Sequence, residues 1–274
     1  MKKGKERGLK NIFFLGGSSL FNDIGSEMIT PILPFYTVAI GGSGVAVGLI
    51  SGLREGLASI FKVFGGWLSD RTGKRKLFVF LGYLFSVISR FFLAIAGSWQ
   101  LITTFISLER FGKLRDAPRD VIITQSTKKR GKGFGFHQMM DASGAIIGTL
   151  LVIFLFWKLQ FGMKSIILIG AGISALSLLP LFFVKDDKTK IMKKGLIEGI
   201  KELSPKLKYF IFVASVFTLA NFGLYLFLLL RVKEISGNII LPLIIYAIFN
   251  FVYALFVVPF GILSDKIGRK KVLL

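Results

Sequence analysis

Eight runs of about twenty mostly apolar residues follow one another along the chain, at 12–40, 45–69, 77–97, 99–126, 133–157, 163–184, 209–230 and 239–263. Each is long enough to cross a bilayer core as a helix. In hydrocarbon the backbone must satisfy its own hydrogen bonds, so runs of this length predict helices. The sequence therefore predicts an all-α polytopic membrane protein. Its 53% hydrophobic content excludes a disordered chain, and the absence of Cys excludes a disulfide scaffold. Ten residues rich in Lys precede the first run, like the start of a signal peptide. The run behind them is too long and holds Asp23 and Glu27, so it reads as a retained first span.

The formal charge of +21 is explained by topology rather than by nucleic acid. With the N-terminus in the cytoplasm, 25 of the 36 Lys and Arg fall in inner segments and 4 in outer ones. Attraction to anionic lipid at the inner leaflet accounts for the excess.

Charges inside the spans cost roughly 2.5–3.5 kcal/mol each on insertion scales, so each needs a reason. At 1.5 Å per residue, Asp23 lies about 16 Å into span 1, near the midplane, and Glu27 is one turn further on. Glu55, Arg54, Arg90, Glu109 and Arg110 occupy the middle thirds of their own spans. We expect Asp23, Glu27, Glu55, Arg90 and Arg110 to share a midplane site for substrate or protons. Burial disfavours a charged carboxylate and a nearby Arg favours it, which suits proton exchange. Arg54 is long enough to snorkel outward. Spans 7 and 8 offer only Asn221 and Asn250 as long polar residues.

Arg115, Asp116, Arg119 and Asp120 lie toward the inner end of span 4. Arg115–Arg119 and Asp116–Asp120 are four apart, so like charges share a face and call for partners on other helices. Asp141 and His137 on span 5 are candidates for the arginines, and Arg71 and Arg75 for Asp120. This set reads as a cytoplasmic gate. Pro118 frees a carbonyl there and can kink the span. A single His does not make a metal site, and no metal or cofactor is expected. His137, one turn from Asp141, reads as a hydrogen-bonded structural residue.

The chain contains a repeat. The run 66–76 (GWLSDRTGKRK) returns at 261–271 (GILSDKIGRKK), with six of eleven positions identical and Lys–Arg exchanges among the rest. The offset of 195 equals six spans with their loops. Parallel six-span repeats organise one large class of transporters.

At these residues the chain resembles the major facilitator superfamily. Gly66-x-Leu-Ser-Asp70-Arg71-x-Gly73-Lys74-Arg75-Lys76 matches the family's signature between spans 2 and 3. Asp23-x-x-Ser26-Glu27-Met28-x-x-Pro31-x-Leu33-Pro34, Arg115-x-Ala-Pro118-Arg119-Asp120 and Arg130-Gly-Lys-x-Phe134-Gly135 with Met140-Asp141 resemble a branch of multidrug-resistance-like permeases. The resemblance implies twelve spans and a gate at the signature loops. In the family, the first acid docks on span 11. By pseudo-symmetry Asp265, with Gly268 and Arg269 in its loop, is expected against the start of span 5, and Asp70 is expected to lack its usual partner. Three departures stand out. The chain stops where a ninth span would begin. Span 4 reads Gly112-Lys113-Leu114-Arg115, one Gly short of the branch pattern, which turns the downstream helix by about 100°. Thr149 follows Gly148 where antiporters of the family carry Pro.

Gly48, Gly52 and Gly56 on span 2, and Gly144 and Gly148 on span 5, have the small-xxx-small spacing of close helix packing. Gly131-Lys-Gly133-Phe-Gly135 lacks a preceding strand and the Walker spacing, so nucleotide binding is not expected. The segment 185–208 is expected to form a basic amphipathic helix on the inner surface. The expected organisation is a six-span half (1–184), a linker (185–208) and two spans of a second half (209–274). The resemblance implies a secondary transporter, expected to export a small drug-like solute in exchange for protons. An uptake carrier, a non-transporting remnant and one piece of a split transporter are the alternatives. The expected partners are a small-molecule substrate, protons, membrane lipid and a second chain supplying four spans. No nucleophile–base set suggests an enzyme.

Overall fold

A computed structural model describes residues 2–127, 130–186, 191, 195–220, 224–268 and 271–272, with backbone only at 2–7, 130, 132, 197, 218–220, 257–258, 261–262 and 264–266. Among the described residues there are helices and no strands. The order is α1 (Lys2–Ile29), α2 (Leu33–Ala39), α3 (Gly44–Thr72), α4 (Arg75–Ala94), α5 (Trp99–Arg110), a 3₁₀ segment (Phe111–Arg115), α6 (Asp116–Ser126), α7 (Arg130–Trp157), α8 (Met163–Ala175), α9 (Leu178–Leu181), α10 (Leu196–Lys201), α11 (Pro205–Ala220), α12 (Leu224–Ser236) and α13 (Ile240–Ile267). Gly44–Thr72, Arg75–Ala94, Gly133–Trp157 and Met163–Leu181 are long and apolar enough to cross a membrane by length and composition. Phe92, Phe154, Phe182, Phe212 and Phe256 are among many large side chains that point outward, as lipid-facing residues do.

The expected spans reappear with local differences. Span 1 starts ten residues earlier than its apolar run, because the basic segment continues the helix. It breaks at 30–32, where Pro31 has no N–H to donate, and resumes as α2. Span 4 becomes α5, the 3₁₀ segment and α6. A 3₁₀ helix turns about 120° per residue against 100° in an α-helix. Five such residues add about 100° of rotation, which restores the phase that the missing Gly removes. Among the described residues of the linker, the six-residue helix α10 stands where the amphipathic helix is expected, and α11 begins at Pro205.

The chain divides into two compact units. The first holds Met1–Leu33, Ile123–Phe183 and Leu229–Leu274, which brings α1, α7, α8, α9 and α13 together. Glycines set its register. Ile12 meets Gly133, Asp23 meets Gly144 and Glu27 meets Gly148, a constant offset of 121 positions that runs α1 parallel to α7. A Cβ on Gly148 would lie 2.4 Å from the Ile24 carbonyl oxygen, and one on Gly144 2.8 Å from that of Leu20. On the other side of α1, a Cβ on Gly25 would lie 2.2 Å from the Gly170 carbonyl oxygen on α8.

The second unit holds Pro34–Ile122 and Val184–Leu228. Here α4 packs on the 3₁₀ segment through Gly82 and Gly112, and α3 packs on it through Gly65. A Cβ on Gly65 would meet the Leu114 carbonyl oxygen at 2.1 Å. That carbonyl lies four residues before Pro118 and so has no α-helical donor. The expected packing stripe on span 2 is only partly realised. Gly48 faces Phe227, but nothing lies within 4 Å of a Cβ on Gly56.

Candidate functional site

The midspan charges are distributed over both units. In the first unit, α1 carries Asp23 and Glu27 beside the two glycines of α7. Asn22 Nδ2 donates to Asp23 Oδ1 at 2.8 Å. The Tyr246 hydroxyl on α13 donates to Glu27 Oε2 at 2.6 Å. One turn along α13, Asn250 Nδ2 donates to Thr149 Oγ1 at 3.5 Å. Thr149 is fully buried and bonds back to the Ala145 carbonyl, so the position after Gly148 is a polar contact. The sequence reading overlooked Tyr246, because a Tyr in an apolar helix looks like core. Its position four residues before Asn250 is the signal that was available.

In the second unit, Glu109 of α5 lies between two arginines. Arg90 Nη2 of α4 donates to it at 2.9 Å, and Arg110 pairs with its other oxygen. All three are more than nine-tenths buried. Arg54 of α3 is also buried and interacts electrostatically with Glu109 and Arg110, which corrects the expectation that it snorkels outward. The attraction of Glu109 holds it inside. Glu55 is half-buried and interacts with Arg110. The centre of this cluster is Glu109, which the sequence reading placed at midspan but left out of the site. Thus Asp23 and Glu27 belong to one unit, and Glu55, Arg90 and Arg110 to the other.

The expected gate residues also have definite partners. Asp116 collects Lys62 of α3 at 3.7 Å, Lys113 at 3.6 Å, Arg115 at 3.9 Å and Arg119 at 3.7 Å. Arg119 also meets Asp120 at 3.1 Å. So part of the set pairs within its own helix, three or one residue apart, rather than requiring other helices. Arg115 turns to α4, where Nη1 donates to Ser86 Oγ at 2.9 Å and the guanidinium lies 4.4 Å from the Tyr83 ring centre. The tight 3₁₀ turn and the Gly82–Gly112 contact bring it there. His137 Nδ1 lies 3.2 Å from Asp141 Oδ2 on α7.

At the signature loop, Gly66 packs on Ala117, and Gly73 ends α3 at φ +67° with its N–H on the Ser69 carbonyl. Gly268, its repeat counterpart, follows α13 at φ +92°. Both copies use the left-handed conformation that Gly adopts without penalty. Asp70 accepts from Arg75 Nη2 at 2.9 Å, so its partner is local. Arg71 lies over Trp67 at 5.4 Å. The acid at the N-terminus of α4 is Asp186, whose Oδ2 accepts from the Lys76 N–H at 2.9 Å. The side chain of Asp265 and the whole of Arg269 lie outside the described residues, as does Asn221. Among the described residues, no three of His, Asp or Glu come together as metal ligands.

An uncharacterized MFS-type transporter of Methanocaldococcus jannaschii is 45% identical over 273 residues, covering 96% of this chain and 68% of the relative. The multidrug resistance protein MdtH of Photorhabdus laumondii is 26% identical over 238 residues, covering 82% and 57%. Among solved structures, a peptide transporter POT in complex with sulfate gives a TM-score of 0.58 at 21% identity, covering 83% of this chain and 47% of that one. A bacterial homolog of the human lysosomal transporter Spinster, inward-facing and unoccupied, gives 0.55 at 17% identity, with 69% and 46% covered. The chain thus spans about two-thirds of the first relative and under half of either solved chain. Family and fold are those of transporters in membranes. Residues 15–274 match the sequence model of the Major Facilitator Superfamily, and the chain belongs to that family.

Proposed function

We propose that the protein is a secondary transporter of the cell membrane that exports a small drug-like solute in exchange for protons. Its two ends would lie in the cytoplasm, where the basic segments belong by the positive-inside rule. The observation that carries this reading is the Glu27–Tyr246 hydrogen bond, with Asp23 one turn away. It ties an ionisable group at midspan in span 1 to span 8, which the repeat assigns to the second half. A carboxylate that bonds the second half when charged and releases it when neutral links proton binding to rocking of the halves. The resemblance to multidrug resistance proteins supports a drug-like substrate, and the clusters at Asp116 and at the signature loop serve as the inner gate.

The test is transport of ethidium into everted membrane vesicles energised by a proton gradient. The expected result is accumulation that collapses with a protonophore and is lost in Glu27→Gln. Accumulation that persists after the gradient is removed, or that Glu27→Gln leaves unchanged, overturns proton exchange. Ethidium movement no greater than in vesicles lacking the protein overturns export of this solute class.

A further inference from the structure

The buried charges of the second unit do not balance. Arg110 interacts with Glu109, Arg54, Arg90 and Glu55, and Glu109 in turn with Arg110, Arg90, Arg54 and Lys113. Lys113 pairs with Asp116, which also collects Lys62, Arg115 and Arg119, so that acid has no charge to spare. Three guanidinium groups therefore face two carboxylates, an excess of one positive charge at midspan. Arginine keeps its proton in proteins, so deprotonation cannot remove the excess. An unbalanced charge in a low-dielectric interior is costly. Hydrogen-bond donors are in excess too. Arg90 and Arg110 take the two oxygens of Glu109, and Arg110 Nε is buried with no hydrogen-bond partner. A buried donor of this kind calls for an explanation.

Two features point to what balances it. Glu55 is half-buried, so the group opens at the edge where this acid stands. Phe61 lies seven residues after Arg54, on the same face of α3 and about 10 Å along it. Its ring packs on that of Phe111, the residue after Arg110, with centres 4.1 Å apart. Guanidinium groups and apolar rings thus lie within the length of one small aromatic acid. We propose that Arg54, Arg90 and Arg110 bind the carboxylate of a small aromatic organic anion, whose ring lies toward Phe61 and Phe111. A planar guanidinium matches a carboxylate through two parallel N–H···O bonds, a match that a spherical halide lacks. The bound carboxylate makes the group neutral. The site draws on α3, α4 and α5 of the second unit and on neither Asp23 nor Glu27, so it stands apart from proton exchange.

The test is equilibrium dialysis of 2-naphthoate against the full chain in phosphatidylcholine nanodiscs, with empty nanodiscs as the blank. The expected result is saturable binding of naphthoate, while its neutral isostere 2-naphthamide binds no more than to the blank. Arg110→Gln is expected to weaken binding at least about tenfold, the loss of a charge-assisted pair. Glu55→Gln, at the half-buried edge, is expected to tighten binding about threefold or more, because it raises the excess of positive charge. A purely structural cluster gives no such gain. Naphthoate binding no greater than the blank, equal binding of the amide, or wild-type affinity in Arg110→Gln overturns the site. So does a Glu55→Gln variant that binds no tighter than wild type. Displacement of naphthoate by an equal concentration of chloride assigns the group to a halide and overturns the organic anion.

Discussion

Tyr246 and Glu27 meet at 2.6 Å although 219 positions separate them, and their hydrogen bond ties span 8 to span 1. A hydrogen bond to a charged group is worth about 1.5–3 kcal/mol. Tyr246→Phe and Glu27→Gln should therefore be non-additive in thermal unfolding of the detergent-solubilised protein. The expected coupling is about 1–2 kcal/mol by a double-mutant cycle. Additive losses would show that the bond does not persist in solution.

Glu109 is the electrostatic centre of the second unit. Its removal leaves Arg90 and Arg110 buried without their shared carboxylate. Glu109→Leu should destabilise by about 3–5 kcal/mol, the usual cost of breaking a buried pair from one side. Adding Arg90→Met should recover part of the loss. The measurement is the melting temperature of both variants, and a double variant less stable than the single would contradict the pairing.

Two glycines should answer very differently to alanine. At Gly25 a methyl collides with the backbone of α8, and overpacking of this kind costs about 1–3 kcal/mol. At Gly56 the methyl meets open space, and the better helix former should be neutral or stabilising by up to about 1 kcal/mol. Folded yield after membrane extraction, followed by melting, separates the two.

The loop between α3 and α4 depends on a conformation and a cap. Gly73→Ala places a side chain at φ +67° and should cost about 1 kcal/mol, with Asn costing less. Asp186→Ala removes the acceptor at the α4 N-terminus and should cost about 0.5–2 kcal/mol. Asp186→Asn keeps an acceptor and should lose less. Melting of the four variants against wild type checks the order.

Most of the helices were legible in the sequence, because apolar length and Pro and Gly placement act locally. The repeat was legible to the level of backbone conformation, since Gly73 and Gly268 both take positive φ. The partners of the charges were less so. Arg115 meets the acid beside it in the sequence only at 3.9 Å, while its guanidinium bonds Ser86 and lies over Tyr83. That choice follows from a 3₁₀ turn and a glycine contact that no spacing rule reveals. Glu109 reads as one midspan charge among several, but burial between Arg90 and Arg110 makes it the centre.

By itself the sequence determined the helical membrane architecture, the excess of charge in alternate loops and the two related signature loops. These follow from the cost of exposing backbone and charge to hydrocarbon, which each segment meets on its own. Only the tertiary structure decided that Gly144 and Gly148 seat Asp23 and Glu27 against α7, and that Tyr246 completes Glu27. Those contacts depend on the offset of one helix along another, which is fixed by where two backbones can approach and not by the residues of either helix alone.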